Sequence, residues 1–267
     1  MIRLEAVPIS SVGDAQASLQ TAIGVEFGTL PPYLYALFSI PPGENAESVS
    51  RIRSVVMEEM IHMCLGCNML NALGGDPVIV PPVYPGPLPG DIGHDGQVLT
   101  IHLIPFSPDA MAQAMSIEEP EDPIDFPRLT GFAAAAPTAV TIGQFYRQLD
   151  AFLATLPASD WTAGRNQIDD RQFFQGQVFA INNYADAHRA IDIIVSEGEG
   201  TPKTPLDFES ELAHFYRFEE IYRDSVLTKD DNPAGFAWGG PLGVDWSAVY
   251  PAITDPGEHD FSRESAA

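Results

Sequence analysis

The segment RSVVMEEMIHMCLGCNMLNALGG (53–75) is apolar at helical spacing, yet it carries Glu58, Glu59 and His62. At about 100° per residue, Val55, Glu59, His62, Gly66, Met69 and Leu73 fall on one stripe. Turning that stripe inward strips water from a carboxylate and an imidazole, which is costly unless a partner compensates them. A metal ion would compensate both. The bland alternative pairs Glu59 with Arg51 or Arg53 and leaves His62 as a satisfied core histidine.

Glu-x-x-His places two ligands side by side on a helix, and four-helix carboxylate bundles use it twice, each time with a glutamate from another helix. The chain contains Glu59-Met-Ile-His62 and Glu211-Leu-Ala-His214. Upstream, Leu19, Ile23, Glu26, Leu30, Tyr33 and Leu37 share a face, so Glu26 points where leucines point. The link from Pro41 to Asn45 is short, so the first two helices run antiparallel. Glu26 and Glu59 then stand at nearly the same height. Pro31-Pro32 is expected to kink the first helix one turn beyond Glu26.

Composition excludes several classes of function. The chain has 267 residues, 37 acids against 13 bases and a net charge of −24, with Lys203 and Lys229 its only lysines. Such a field repels nucleic acid and anionic membrane surfaces. No apolar run is long enough to span a bilayer and the N-terminus does not resemble a signal peptide, so a cytoplasmic protein is expected. Cys64 and Cys67 sit mid-helix, away from the His62 stripe, and read as buried, reduced core residues.

Caps and periodicity predict helices near 14–40, 46–73, 141–156, 172–197 and 208–224, capped by Asp14, Asn45, Thr141 and Asp207 where a cap is legible. Thr141-Ile-Gly-Gln144 has the pattern of a capping box. Residues 78–106 read as loop plus the strand-like run 98–106, giving a small β-containing insertion between helices 2 and 3. The expected organisation is a mainly α domain over 1–228, with 78–140 as the insertion, followed by a Pro- and Gly-rich extension over 229–267. In the fourth helix, Tyr184, His188, Asp192, Val195 and Glu199 form a candidate stripe.

Several motifs resemble the ferritin-like domain of the iminophenyl-pyruvate dimer synthase family: Val25 to Leu37, Glu58 to Met63, Asn71 to Pro77, Tyr84 to Pro89, Glu197 to Gly200 and Leu212 to Phe218. The resemblance covers about residues 13–225. It implies a ferritin-like four-helix bundle with a metal centre and, in the pathway enzymes, oxidative coupling of two imines made from an aromatic 2-oxo acid. Glu26, Glu59, His62, Glu199 and His214 match motif positions, and Glu211 completes the second Glu-x-x-His. The family's third-helix motif has an acid where this chain has Gln144, and the capping box accounts for Gln144 without metal.

The leading expectation is a di-iron oxidase acting on a small-molecule substrate, because carboxylate and imidazole donors suit iron, or manganese, better than thiolate-type zinc. Arg189 and Arg217 are the candidate anchors for a substrate carboxylate. The alternatives are non-catalytic iron sequestration and a metal-free scaffold. A homo-oligomer is compatible with either reading.

Overall fold

A computed structural model describes residues 2–5, 8–93, 97–120, 139–199 and 204–257, without the side chains of Ala139 and Glu199. Its helices are α1 (Val12–Phe38), α2 (Ala46–Ala72), α3 (Pro108–Ile117), α4 (Ile142–Leu153), α5 (Tyr184–Glu199) and α6 (His214–Arg223). The strands are short: β1 (Leu4–Glu5) pairs with β2 (Ala139–Val140), and β3 (Leu227–Lys229) pairs with β4 (Phe236–Trp238), both antiparallel. The architecture is mainly helical, as the periodicity predicts. No helix among the described residues is long and apolar enough to cross a membrane.

The antiparallel pair of α1 and α2 is the spine. Gly66 lets the two approach closely, since a Cβ there would sit 3.1 Å from Ile23 Cγ1. Two further pairs, α4 with α5 and α3 with α6, close around the spine; α1 meets α3 and α4, while α2 meets α5 and α6. Val55, Met69 and Leu73 are buried beside Glu59 and His62, so the α2 stripe faces the core as read from the sequence.

Local chemistry explains where the elements begin. Ser11, not Asp14, caps α1: its Oγ accepts from Asp14 N at 3.1 Å, and Asp14 reaches back to Ser10 N at 2.9 Å. α1 continues through Pro31 and Pro32 to Phe38. Pro32 has no N–H for the Gly28 carbonyl, and the Tyr84 hydroxyl donates to that oxygen instead. Thr141 and Gln144 form the expected capping box on α4.

Two helices start later than periodicity suggests. Residues 172–183 precede α5 because Asp170 accepts from the backbone N–H groups of Gln172 and Phe173, and Gln175 and Gly176 take positive φ of 52° and 86°. Such side-chain-to-backbone bonds compete with helix. Asp207 does cap, but it caps a turn: its Oδ1 accepts from Glu209 N and Glu211 N at 2.8 Å each, and Ser210 has φ 69°. The helix therefore opens at His214.

Among the described residues of 78–106, the β content amounts to isolated bridges, Gly86 to Ile101 and Asp91 to Leu4. Beyond β4 the chain wraps back over α1. Asn45 and Asp245 exchange hydrogen bonds of 2.9 and 2.8 Å, Tyr250 N donates to Ser39 O at 2.8 Å, and Trp246 stacks on Phe106 at 4.8 Å.

Candidate metal centre

Five acidic side chains and two imidazoles meet where α1, α2, α5, α6 and the end of α3 converge. Glu26, Glu59, His62 and His214 are all at most 5% exposed. Their ligand atoms fall into two groups close enough to share an ion: Glu26, Glu59 and His62, and Glu59, Glu118 and His214. Glu59 belongs to both. The imidazoles of His62 and His214 lie face to face, 5.6 Å apart at 21°.

The two halves are built alike. His62 is held at Nε2 by Glu197 Oε2 at 2.7 Å and turns Nδ1 toward Glu26 Oε2, 3.7 Å away. His214 is held at Nε2 by Glu58 Oε2 at 2.9 Å and turns Nδ1 toward Glu59 Oε1 at 2.9 Å and Glu118 Oε2 at 3.6 Å. An outer carboxylate that grips one ring nitrogen fixes the tautomer and the aim of the other, as around metal-binding histidines generally.

Three hydroxyls reach the inner carboxylates. Tyr146 donates to Glu26 Oε1 at 2.6 Å, and Tyr33 donates to Glu118 Oε1. Thr29 Oγ1 lies 2.8 Å from both Glu59 Oε2 and the Glu26 carbonyl. Having one proton, it serves one of these as donor at a time.

The electrostatics are those of crowded acid. Burial, and then the charges of Glu118 and Glu26, push Glu59 up to about 8. Burial would also raise Glu26, but His62 outweighs it and holds the carboxyl below its ordinary value. Burial would lower His62, yet Glu197 and Glu26 carry it to about 10, and His214 rises in the same way through Glu118, Glu58 and Glu59.

The donor set fits a metal. His214 Nδ1 is fully buried between two carboxylates, 2.9 Å from Glu59 Oε1 and 3.6 Å from Glu118 Oε2, and in line for a well-formed hydrogen bond with neither. A buried imidazole nitrogen aimed between carboxylates, where an ion would share both, is suited to a ligand role. Arginine does not supply the compensation: Arg51 is taken by Glu220 at 2.5 Å and Glu47 at 2.8 Å. Among the described residues, no lysine or arginine pairs with Glu26, Glu59 or Glu118.

The structure brings Glu26, Glu59, His62 and His214 together, and it leaves Glu211 out. Glu211 precedes α6 in the Asp207 turn, its side chain is 62% exposed, and its contact is Arg217 at 3.4 Å. The Glu199 side chain lies outside the described residues. Its neighbour Glu197 holds His62, because the buried face of α5 runs through Ala187, Ala190, Ile194 and Glu197, one step off the expected stripe. The stripe's Tyr184 and His188 face Asp150 of α4.

The two candidate anchors sit in different surroundings. Arg189 is exposed and lies over the Phe179 ring at 4.1 Å. Arg217 is buried with its donors spent on Leu212 O, Ser54 at 2.9 Å, Glu58 at 2.6 Å and Glu211. Glu118, which reads from the sequence as part of an acidic loop, is the acid that joins His214. Met111, Ala114 and Glu118 have helical spacing, and that was the available signal. Beside Glu118, a small cavity of about 30 Å³ is lined by Ile2, Ile117, Ile142, Gly143 and Ile194. That volume suits one water molecule.

Fold and site together define a helical-bundle protein with a buried carboxylate and imidazole centre. The chain belongs to the Ferritin-like family, whose profile matches residues 19–223. Over 300 residues it is 25% identical to dichlorochromopyrrolate synthase of Lentzea aerocolonigenes, covering 94% of this chain and 28% of that protein. The chain thus spans little more than a quarter of that relative's length. The crystal structure of a ferritin like protein from Caulobacter vibrioides matches with a TM-score of 0.62 at 23% identity, over 97% of this chain and 82% of the other. That likeness supports the fold.

Proposed function

We propose that this protein is a di-iron oxidase whose ions are held by Glu26, Glu59 and His62 on one side and by Glu59, Glu118 and His214 on the other. The observation that carries the reading is the fully buried His214 Nδ1, aimed between the carboxylates of Glu59 at 2.9 Å and Glu118 at 3.6 Å. Charge supports two ions. With both imidazoles neutral, Glu26, Glu58, Glu59, Glu118 and Glu197 against Arg217 leave four negative charges, which two divalent ions balance. The oxygen and nitrogen donor set suits iron, and manganese fits the same set.

Bound iron would supply redox chemistry with dioxygen. The chain's own residues do the rest: Glu197 and Glu58 fix the rings, the hydroxyls orient the carboxylates, and both histidines must shed a proton to bind metal. The substrate class is an imine of an aromatic 2-oxo acid. That choice rests on the sequence resemblance and on the kinship with dichlorochromopyrrolate synthase.

The test is elemental analysis of protein grown with added iron, for wild type, His62→Ala and His214→Ala, followed by oxygen-uptake assays with such imines. Wild type should carry about two ions per chain and each variant markedly less. Equal, near-zero metal in all three would end the metal reading. Loaded protein that consumes no oxygen with any such imine would favour iron sequestration.

A further inference from the structure

We propose that Tyr33 and Tyr146 are positioning residues that restrict Glu118 and Glu26 to one metal-binding oxygen each, so that both ions keep an open position. The inference rests on the metal reading above and adds a role for two residues outside the donor set.

The same arrangement is assembled twice from different parts of the chain. Tyr146 of α4 holds Oε1 of Glu26 on α1, while Oε2 of that glutamate faces His62 Nδ1 at 3.7 Å. Tyr33 of α1 holds Oε1 of Glu118 beyond α3, while Oε2 faces His214 Nδ1 at 3.6 Å. In each half the phenol takes the oxygen turned away from the imidazole and leaves the other for an ion shared with it.

Both phenols are nearly inaccessible, at 3% and 1% exposure, so neither proton can be surrendered to water. The rings are also held: Tyr33 packs on Phe218 at 4.9 Å, and Tyr146 meets Phe145 edge to face at 5.8 Å. A carboxylate oxygen that accepts a fixed phenol proton is a poor second ligand, so chelation by both oxygens is suppressed. The ion then has fewer protein ligands and a vacant position.

Cobalt(II) is the probe, because its visible bands are strong at four or five ligands and several-fold weaker at six. Wild type loaded with cobalt(II) should show strong bands, and Tyr33→Phe and Tyr146→Phe should each weaken them several-fold per bound ion. Tyr184→Phe, remote from the centre, should leave them unchanged. Variants that bind cobalt(II) with the wild-type spectrum would overturn the proposal while leaving the metal reading intact. Wild type that develops no cobalt bands would overturn both. Thermal melts verify that each variant is folded, and infrared spectra of loaded wild type give a reading independent of any variant. Widely split carboxylate stretches are expected there, and the narrow splitting of chelating carboxylates would also overturn the proposal.

Discussion

Glu58 and His214 stand 2.9 Å apart across 156 residues of sequence, and Arg217 closes on the other oxygen of the same carboxylate at 2.6 Å. One side chain therefore ties the candidate ligand on α6 to α2 and neutralises a buried guanidinium. Burial would raise the Glu58 carboxyl, but His214 and Arg217 hold it down at about 2, so it is ionised throughout the neutral range. Glu58→Gln keeps the shape and loses the charge. Metal affinity should fall roughly 10- to 100-fold, as for other outer-shell partners. Glu58→Ala also strands Arg217 and should cost about 3 kcal/mol. Equilibrium metal competition and urea unfolding measure the two effects separately.

Glu118 and Glu211 divide the site from its surroundings. Glu118→Gln removes a buried carboxylate from the His214 half, whereas Glu211→Gln alters an exposed partner of Arg217. The first change should reduce metal content by about one ion per chain while the second leaves it at the wild-type value. Elemental analysis of the two variants side by side decides the matter. Loss of metal in Glu211→Gln would mean that the turn at Asp207 rearranges on loading.

What the sequence discloses follows the range of the forces involved. The spine is legible because α1 and α2 are long, apolar on one face and joined by a short link, so Glu26, Glu59 and His62 can be placed by arithmetic. Glu118 is obscured because it follows a ten-residue helix, where periodicity is too brief to stand out from the acidic residues beyond it. The second Glu-x-x-His misleads for a different reason: Asp207 binds the backbone at 209 and 211, and the helix that would align Glu211 with His214 never forms there. Glu197 is a matter of phase, since small alanines at 187 and 190 mark the buried face of α5 less clearly than Tyr184 marks the other.

Tyr84 fills a gap that proline opens. The Gly28 carbonyl lacks its helical donor because residue 32 is proline, and the Tyr84 hydroxyl supplies one from the insertion. Tyr84→Phe removes that donor without altering ring packing, and it should cost about 1–2 kcal/mol, the usual range for stranding a buried acceptor. The readout is the urea midpoint at constant slope, with metal content unchanged.

Cys64 and Cys67 are half-buried free thiols, less enclosed than their helix pattern suggests. Burial raises both, and Cys67 reaches about 11 with help from its neighbour. Since the thiolate is the reactive form, Cys67 should react with a disulfide reagent at pH 8 about 100-fold more slowly than an unperturbed thiol. Stopped-flow labelling of the native and the urea-unfolded protein gives that ratio. Rapid native labelling would show α2 opening at its outer face.

His188 links α5 to α4 through Asp150 at 2.9 Å and lies 3.6 Å from Asp192. The Asp150 hydrogen bond raises its pKa above 6.5, burial opposes this weakly, and the charges of Asp150 and Asp192 add to the rise. A histidine raised on folding stabilises fully below its unfolded pKa and loses that contribution as pH climbs through the folded value. The imidazole is about half exposed, with 47% of its side chain accessible, so solvent screening keeps the effect small, at most about 1 kcal/mol. His188→Asn should therefore lower the melting temperature more at pH 5.5 than at pH 8.5. Thermal scans of wild type and variant at both pH values provide the comparison. A difference that grows toward high pH would have the opposite sign and would show that the neutral imidazole, through its stacking on Tyr184 at 5.6 Å, is the stabilising form.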